Sequence, residues 1–123
     1  MTHEIILTKK FRFEAAHNLT SYHGQCEKLH GHSYILEISI IGTPDTEGMV
    51  IDFAVLKKIV KEHIIDKLDH TYLNDVFTFN PTVENMLLWM ANELSPVLKS
   101  DMRRLYKIAI WETDNNKSEI ILG

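Results

Sequence analysis

The segment from residue 26 to residue 41 decides how the rest of the chain is interpreted. It reads Cys26-Glu27-Lys28-Leu29-His30-Gly31-His32-Ser33-Tyr34-Ile35-Leu36-Glu37-Ile38-Ser39-Ile40-Ile41. Side chains on a β-strand point alternately to its two faces, and the mainly apolar residues from His30 onward occupy alternate positions. The pattern therefore predicts a strand whose inward face carries, in order, His30, His32, Tyr34, Leu36, Ile38 and Ile40.

A strand with the same period of two precedes this segment. Its alternate positions are Ile5, Leu7, Lys9, Phe11, Phe13, Ala15 and His17. Turn-forming residues then fill positions 18–24 and lead to Cys26, the only cysteine of the chain. The sequence thus predicts three imidazoles at strand ends, from His17, His30 and His32, with a thiol close by.

Three neutral imidazole nitrogens and a water molecule are the ligands of an open tetrahedral zinc site. The same histidines could also be ordinary packed or surface residues, because spacing alone does not require a metal. Cys26 lies four residues before His30 and strengthens the metal interpretation. It would be either a fourth, structural ligand or a separate nucleophile or base beside the metal.

Composition narrows the class of protein. A chain of 123 residues with 45% hydrophobic residues fits one folded domain, residues 1–123, with one core. A net charge of −4 argues against a general binder of nucleic acid or of membrane surfaces, and no apolar run approaches the roughly 20 residues that span a bilayer. A single cysteine and a polar start predict a cytoplasmic protein.

Two helices are expected after the first strand pair. Asp52 is a predicted N-cap, and the apolar positions of residues 53–68 recur every three or four residues. Thr82 is a second predicted cap, with Pro81 before it and an apolar stripe after it, and Pro96 is predicted to end this helix. Met86 and Met90 on the stripe are interpreted as core packing.

Two further strands, Leu105–Thr113 and Glu119–Leu122, are predicted around a turn at residues 114–116. The predicted order ββααββ describes an α+β domain, with a four-stranded antiparallel sheet and two helices on one face. Such a small sheet has exposed edges, and this favours oligomerisation through strand pairing.

Two acidic positions are of interest for chemistry. Asp69 and His70 follow the first predicted helix, where a solvated pair with the histidine at the negative helix end is the simpler interpretation. Glu112 shares a predicted strand face with apolar residues and therefore needs a partner. That partner is either an internal Arg or Lys, or a ligand with several N–H donors.

Six segments together resemble a known family. They are Phe13-Glu14-Ala15-Ala16-His17, Cys26-x-x-x-His30-Gly31-His32, Gly48-Met49-Val50-Ile51-Asp52-Phe53, Leu68-Asp69-His70, Pro81-Thr82-Val83-Glu84-Asn85 and Trp111-Glu112-Thr113. In this order they resemble the 6-pyruvoyl-tetrahydropterin synthase family over nearly the whole chain. The gap of three between cysteine and His-Gly-His is most similar to its bacterial branch, the 6-carboxy-5,6,7,8-tetrahydropterin synthases of the queuosine pathway.

The resemblance implies a tunnelling fold (T-fold), in which three subunits join their sheets into a barrel and two trimers form a homohexamer with active sites between subunits. It also implies roles for nine residues: zinc ligands at His17, His30 and His32, a catalytic base at Cys26, a relay at Asp69 and His70, a pterin anchor at Glu112, and pterin neighbours at Thr82 and Glu84.

The implied reaction is a zinc-dependent lyase reaction. It converts 7,8-dihydroneopterin triphosphate to 6-carboxy-5,6,7,8-tetrahydropterin, acetaldehyde and triphosphate without a redox cofactor. Glu27 opens an alternative, since some relatives use a glutamate in this segment to form 6-hydroxymethyl-dihydropterin for folate, and the pyruvoyl product is another. A non-catalytic zinc or pterin-binding module, with Cys26 as fourth ligand, is the alternative from another class.

Overall fold

A computed structural model describes residues 3–19 and 29–123 of the chain. The expected α+β class is confirmed. Its elements are β1 Ile5–His17, β2 His30–Gly42, α1 Phe53–Val60, a π-helical turn Lys61–Ile65, α2 Asp66–Leu68, β3 Thr71–Tyr72, α3 Leu73–Val76, α4 Val83–Leu98, β4 Arg103–Thr113 and β5 Asn116–Ile121. None of the helices in the described ranges is both long enough and apolar enough to cross a membrane.

The sheet has five strands, in the order β3-β1-β2-β4-β5. Its four long strands pair antiparallel with their neighbours, whereas β3 pairs parallel with β1 opposite Ala15 and Ala16. The predicted four-stranded, wholly antiparallel sheet and the order ββααββ are therefore wrong in detail. A two-residue strand is too short to show alternation, so the sequence pattern could not reveal β3.

One face of the sheet carries the core. The β2 residues Tyr34, Leu36, Ile38 and Ile40 are all 0% exposed, and they pack in one cluster with the apolar stripes of the helices. The opposite face carries exposed polar residues of β1 such as Arg12 and Glu14. The predicted faces of β1 and β2 are thus the observed ones, and the histidines at the start of β2 continue the core face. On β4 a register shift opposite Ser39 and Ile40 puts Leu105 in the core in place of Tyr106, which was predicted to share the face of Ile108 and Ile110.

The predicted helix 53–68 is interrupted by the π-helical turn. Its buried residues Leu56, Val60, Ile64 and Leu68 are spaced by four. In an α-helix each step of four rotates the side chain by about 40° beyond a full turn, so the stripe would drift off the core. The wider π-helical turn compensates for this drift and keeps all four residues inside. Asp52 caps α1 as predicted, accepting a hydrogen bond from Ala54 N at 2.7 Å.

Helix α4 begins as predicted but ends later. The side chain of Thr82 accepts a hydrogen bond from the backbone N–H of Asn85 at 3.1 Å, which confirms the cap. The helix continues past Pro96 to Leu98, so the predicted end at Pro96 is wrong. Proline keeps a helical φ and removes only the bond to the carbonyl of Asn92, an exposed residue.

The last two strands begin earlier than predicted. β4 starts at Arg103 because β2 extends to Gly42 and pairs with it there. β5 starts at Asn116, which pairs with Thr113 across a tight turn, rather than at Glu119. Both strands begin with polar residues, so the alternation of apolar residues could not predict where they start.

Gly42 provides a test of this packing. A Cβ built on Gly42 would lie 2.9 Å from Arg103 Cα and in collision with the Met102 carbonyl oxygen, whereas one on Gly31 would lie 3.8 Å from the nearest atom, Ala15 O. We expect Gly42→Ala to lower the free energy of unfolding by about 2 kcal/mol, since backbone must move. Urea denaturation measures it. Gly31→Ala in the same strand is the control and should be nearly neutral; equal losses in the two variants would contradict the prediction.

Candidate active site

Three histidines converge where β1 ends and β2 begins. His17 pairs with His30, and His32 lies two residues further along β2 opposite Ala15, all on the core face. Their ligand atoms lie within 4.8 Å of one another, and His17 Nε2 is 3.1 Å from His30 Nε2. Two nitrogens bound tetrahedrally to one zinc ion at 2.0–2.1 Å lie about 3.3 Å apart. The three imidazoles form a group that could hold a metal ion.

His17 is fixed by a backbone carbonyl. It is 1% exposed, and its Nδ1 lies 2.8 Å from the oxygen of Pro81, directly before the Thr82 cap. A carbonyl oxygen only accepts hydrogen bonds, so Nδ1 carries the proton and donates. In the neutral ring Nε2 then keeps its lone pair, which is the state that a metal ligand requires. Sequence analysis missed this contact, because no side-chain pattern marks a particular carbonyl.

One ring nitrogen of His32, Nε2, is buried. This nitrogen has no hydrogen-bond partner within residues 3–19 and 29–123, and the nearest carboxylate oxygen, Glu112 Oε1, is 3.6 Å away. An unsatisfied buried polar atom is costly and calls for an explanation. A cation bound between the rings would satisfy it.

Burial favours the neutral form of His17 and His32. Loss of solvation lowers the pKa of His17 and of His32 below the usual 6.5. The carbonyl of Pro81 partly opposes the shift in the pKa of His17, and the carboxylate of Glu112 partly opposes it in His32. Neutral imidazoles are competent metal ligands at neutral pH.

Tyr34 forms the floor of the histidine group. Its ring is 0% exposed, stacks on Phe13 at 4.7 Å between centroids, and meets the ring of His32 edge to face at 5.4 Å. Burial raises the pKa of its phenol, so the ring stays uncharged. The alternation along β2 had placed Tyr34 on this face, although not in contact with the site.

A cavity of about 350 Å³ adjoins the histidines. Its walls include three residues that sequence analysis selected, Thr82, Glu84 and Glu112, together with Leu19, Val83, Asn116 and Ser118. Glu112 lies on β4 and Thr82 at the start of α4, so the sheet and a helix N-terminus build the cavity jointly. Among the described residues Glu112 forms no ion pair with an Arg or Lys, and its carboxylate is available to both His32 and a ligand.

Asp69 and His70 are held elsewhere, directly before β3 and on the side of β1 that faces away from β2. Asp69 Oδ1 accepts a hydrogen bond from Glu14 N at 2.9 Å and lies 3.0 Å from His70 Nδ1, and His70 N donates to Glu14 O. His70 has a φ of 59°, a left-handed conformation that costs energy in a residue with a Cβ and is typical of functional positions. The structure therefore joins the two residues and aims an exposed ring outward.

The pair does not touch the histidine group. His70 and His32 border one open depression of about 480 Å³. They flank β1 on opposite sides, however, and two strand spacings separate them by about 10 Å. Within one chain, this spacing keeps Asp69 and His70 out of direct contact with the histidines. Cys26 and Glu27 lie outside the described residues, so their roles stay predictions.

The lowered pKa values predict how stability depends on pH. In metal-free protein the unfolded chain takes up protons at His17 and His32 below about pH 6.5, whereas the folded chain resists them. We therefore expect the free energy of unfolding to fall as the pH falls below about 6.5, by at most about 1.4 kcal/mol per pH unit for each histidine. Denaturation at pH 7.5 and 5.5 measures this change in the free energy of unfolding. A double variant, His17→Gln with His32→Gln, should show a smaller change between the two pH values. A change as large as in wild type would contradict the prediction.

Comparison with known proteins identifies the family. The model of the family "6-pyruvoyl tetrahydropterin synthase" matches residues 6–121. A 6-pyruvoyl tetrahydrobiopterin synthase of Dictyostelium discoideum is 37% identical, and the match covers 94% of this chain and 95% of that one. A 6-carboxy-5,6,7,8-tetrahydropterin synthase of Synechocystis is 36% identical, and the match covers 88% of this chain and 86% of that one. A dihydroneopterin monophosphate aldolase of Pyrococcus furiosus is 37% identical, and the match covers 81% of this chain and 82% of that one.

A solved structure agrees with these matches. The 6-pyruvoyl tetrahydropterin synthase of Caenorhabditis elegans superposes with a TM-score of 0.86 at 28% identity, and the match covers 99% of this chain and 98% of that one. The five-stranded sheet with its few helices is thus the fold of that synthase. The family match and the relatives show that this chain belongs to the 6-pyruvoyl tetrahydropterin synthase family.

Proposed function

We propose that this protein is a zinc-dependent 6-carboxy-5,6,7,8-tetrahydropterin synthase that acts on 7,8-dihydroneopterin triphosphate and serves queuosine and related 7-deazapurine biosynthesis. The observation that carries the proposal is the convergence of His17, His30 and His32 beside a cavity that contains Glu112. The choice of the carboxy product rests on the three-residue gap between Cys26 and His30 and on relatives such as the Synechocystis enzyme.

The residues fit a zinc ion. His17 offers Nε2 because its Nδ1 proton is committed to Pro81, and His32 offers a buried Nε2 without a hydrogen-bond partner among the described residues. His30 completes the set. Zinc would supply a Lewis acid that makes a side-chain hydroxyl of the substrate more acidic. Three protein ligands leave one position open, as catalytic zinc sites do.

The adjoining cavity would bind the pterin. A pterin ring edge presents several N–H donors, and the carboxylate of Glu112 is an acceptor that lines the cavity. Thr82 and Glu84 line the same space at the start of α4. In this pose the substrate side chain would extend from Glu112 toward the histidines, since Glu112 lies 3.6 Å from His32.

The thiol of Cys26 would remove a C–H proton from the substrate side chain. It must act as a thiolate, which a nearby cation and the imidazolium of His70 would favour. Asp69 Oδ1 lies 3.0 Å from His70 Nδ1, and an interaction through Nδ1 would leave His70 Nε2 for proton transfer. A catalytic thiol needs a reducing environment, consistent with the expected cytoplasmic location.

The separation of His70 from the histidine group supports a shared site. Because His70 is exposed and lies two strand spacings from the group in its own chain, we propose that a second subunit supplies Asp69 and His70 to each site, within a homohexamer built as a dimer of trimers. β5 is an edge strand of the sheet and offers backbone groups for pairing with another subunit.

Two other products deserve a direct test, since relatives with the same fold carry different activities. The Dictyostelium relative is a pyruvoyl synthase and the Pyrococcus relative an aldolase of dihydroneopterin monophosphate. Glu27 beside Cys26 is the residue in this chain that favours a cleavage to 6-hydroxymethyl-dihydropterin.

Product identification tests the proposed reaction. We expect zinc-loaded protein incubated with 7,8-dihydroneopterin triphosphate to yield 6-carboxy-tetrahydropterin by mass. Cys26→Ala should abolish this product while zinc content stays at the wild-type level, because the thiol acts as base rather than as ligand. Glu27→Ala is the matched control and should leave the product largely intact. Formation of only the pyruvoyl or hydroxymethyl product would overturn the assignment.

The same variants separate an enzyme from a closed zinc module. A Cys26 thiol that alkylates readily in zinc-loaded protein supports the open site. Loss of zinc from Cys26→Ala would instead make Cys26 a fourth ligand and leave no place for substrate.

Mixing two inactive variants tests the shared site. Cys26→Ala and His70→Ala subunits, dissociated and reassembled in equal amounts, should regain up to about one quarter of wild-type activity, because random mixing gives that share of sites both intact residues. Each variant reassembled alone is the control. No recovery, with mixed oligomers demonstrated by mass spectrometry, would rule out sites that combine residues of two chains.

A further inference from the structure

The turn Asn80–Thr82 connects the histidine group with the cavity. The carbonyl of Pro81 accepts the proton of His17 Nδ1, and the next residue, Thr82, lines the cavity beside Glu112. One helical turn further along, the side chain of Asn85 donates from Nδ2 to the carbonyl oxygen of Asn80 at 2.9 Å. The hydrogen bond from Asn85 to Asn80 takes no direct part in the proposed reaction.

Peptide geometry explains what that bond controls. The carbonyl of Pro81 and the N–H of Thr82 belong to one planar trans peptide and point in opposite directions. The N–H of Thr82 donates to Asn80 O at 2.8 Å, while the carbonyl of Pro81 faces His17. Fixing the position of Asn80 O therefore fixes the direction of the Pro81 carbonyl, and Asn85 holds Asn80 O by a second hydrogen bond.

The cap of α4 does not need this side chain. Capping uses the backbone N–H of Asn85, which donates to Thr82 Oγ1 at 3.1 Å and would persist after truncation of the side chain. The side-chain amide is thus free for another task, and its one hydrogen bond within the described residues goes to Asn80. Half-buried placement protects that bond from competition with water.

We infer that Asn85 is a positioning residue: through Asn80 and the Pro81 carbonyl it sets the tautomer of His17 and holds Thr82 at the cavity wall. The inference rests on the proposed function, because it gives His17 the role of a metal ligand. Partners that orient a ligating histidine strongly affect metal affinity, and their loss costs about tenfold to a hundredfold. Asn85 acts one step further away, so its effect lies at the lower end.

The variants are chosen to isolate the hydrogen bond. Asn85→Ala removes the side chain, and Asn85→Asp keeps its shape but loses the N–H donor. Asn92→Ala is the matched control, since Asn92 lies two turns along α4 beside the same surface cavity as Asn85, is exposed, and forms no side-chain hydrogen bond within the described part of the chain.

The first readout is the imidazole ¹⁵N spectrum of metal-free protein. Wild type and Asn92→Ala should show His17 as a single Nδ1–H tautomer, and both Asn85 variants should show a mixture. The second readout is a zinc titration against a competing chelator, in which the Asn85 variants should bind about tenfold more weakly. In turnover assays both Asn85 variants should show a higher KM for the pterin substrate than wild type, because Thr82 would shift at the cavity wall. If Asn85→Ala fails to fold, Asn85→Asp supplies the comparison.

The outcomes separate this inference from the proposed function. An unchanged His17 tautomer and unchanged zinc affinity in a folded Asn85 variant would overturn the inference even if the enzyme is active. Zinc binding by none of the proteins would overturn the proposed function, and the tautomer comparison in metal-free protein would still decide whether Asn85 positions His17. Equal effects in Asn92→Ala would reduce Asn85 to a general contribution to helix stability and would also overturn the inference.

Discussion

Continuous pairing between β1 and β2, from Ile5 opposite Gly42 to His17 opposite His30, places all three histidines on one side of the sheet. Because strand side chains alternate, a slip of one residue in β1 would move His17 to the other face. The buried alternation from Tyr34 to Ile40 prevents such a slip in β2, since it would expose four core residues that are now 0% exposed. The register that forms the core therefore also forms the histidine group.

In this arrangement a polar atom, His32 Nε2, is buried without a hydrogen bond in the described residues. Burial lowers the pKa values of His17 and His32, and His32 Nε2 lies 3.6 Å from the carboxylate of Glu112. A metal-free protein bears that cost, and a protein with a bound cation recovers it. Rigid elements hold the rings before any ligand arrives, so little conformational entropy remains to be lost on binding.

Sequence patterns predicted what depends on alternation, spacing and caps. The face of His17 and His30, the caps Asp52 and Thr82, and the family itself could all be inferred from residue types. Features that depend on backbone groups could not. The Pro81 carbonyl that fixes His17, the two-residue strand β3 and the π-helical turn involve main-chain geometry that residue types do not encode uniquely.

The position of Asp69 and His70 shows the same limit. The position of Asp69 and His70 at a helix end favours a solvated pair, whereas the family resemblance implies a relay. His70 is exposed in its own chain, at 78% of its side chain, and it combines a left-handed backbone with an Nδ1 atom 3.0 Å from Asp69 Oδ1. The relay stays a prediction.

Membership of the family does not by itself fix the product. The pyruvoyl synthase, the carboxy synthase and the aldolase to which this chain is similar match it over at least 81% of its length but carry names of different activities, and one fold can host several functions. In the proposed site the histidines would activate the hydroxyls and Glu112 would hold the ring whichever bond breaks. In that proposed site the group that removes a proton, and the carbon it reaches, would decide the product, and the proposal gives this choice to Cys26 and Glu27. The length of sequence between two strands can change without disturbing the register with which β1 and β2 pair, and this separation would allow one fold to serve several reactions.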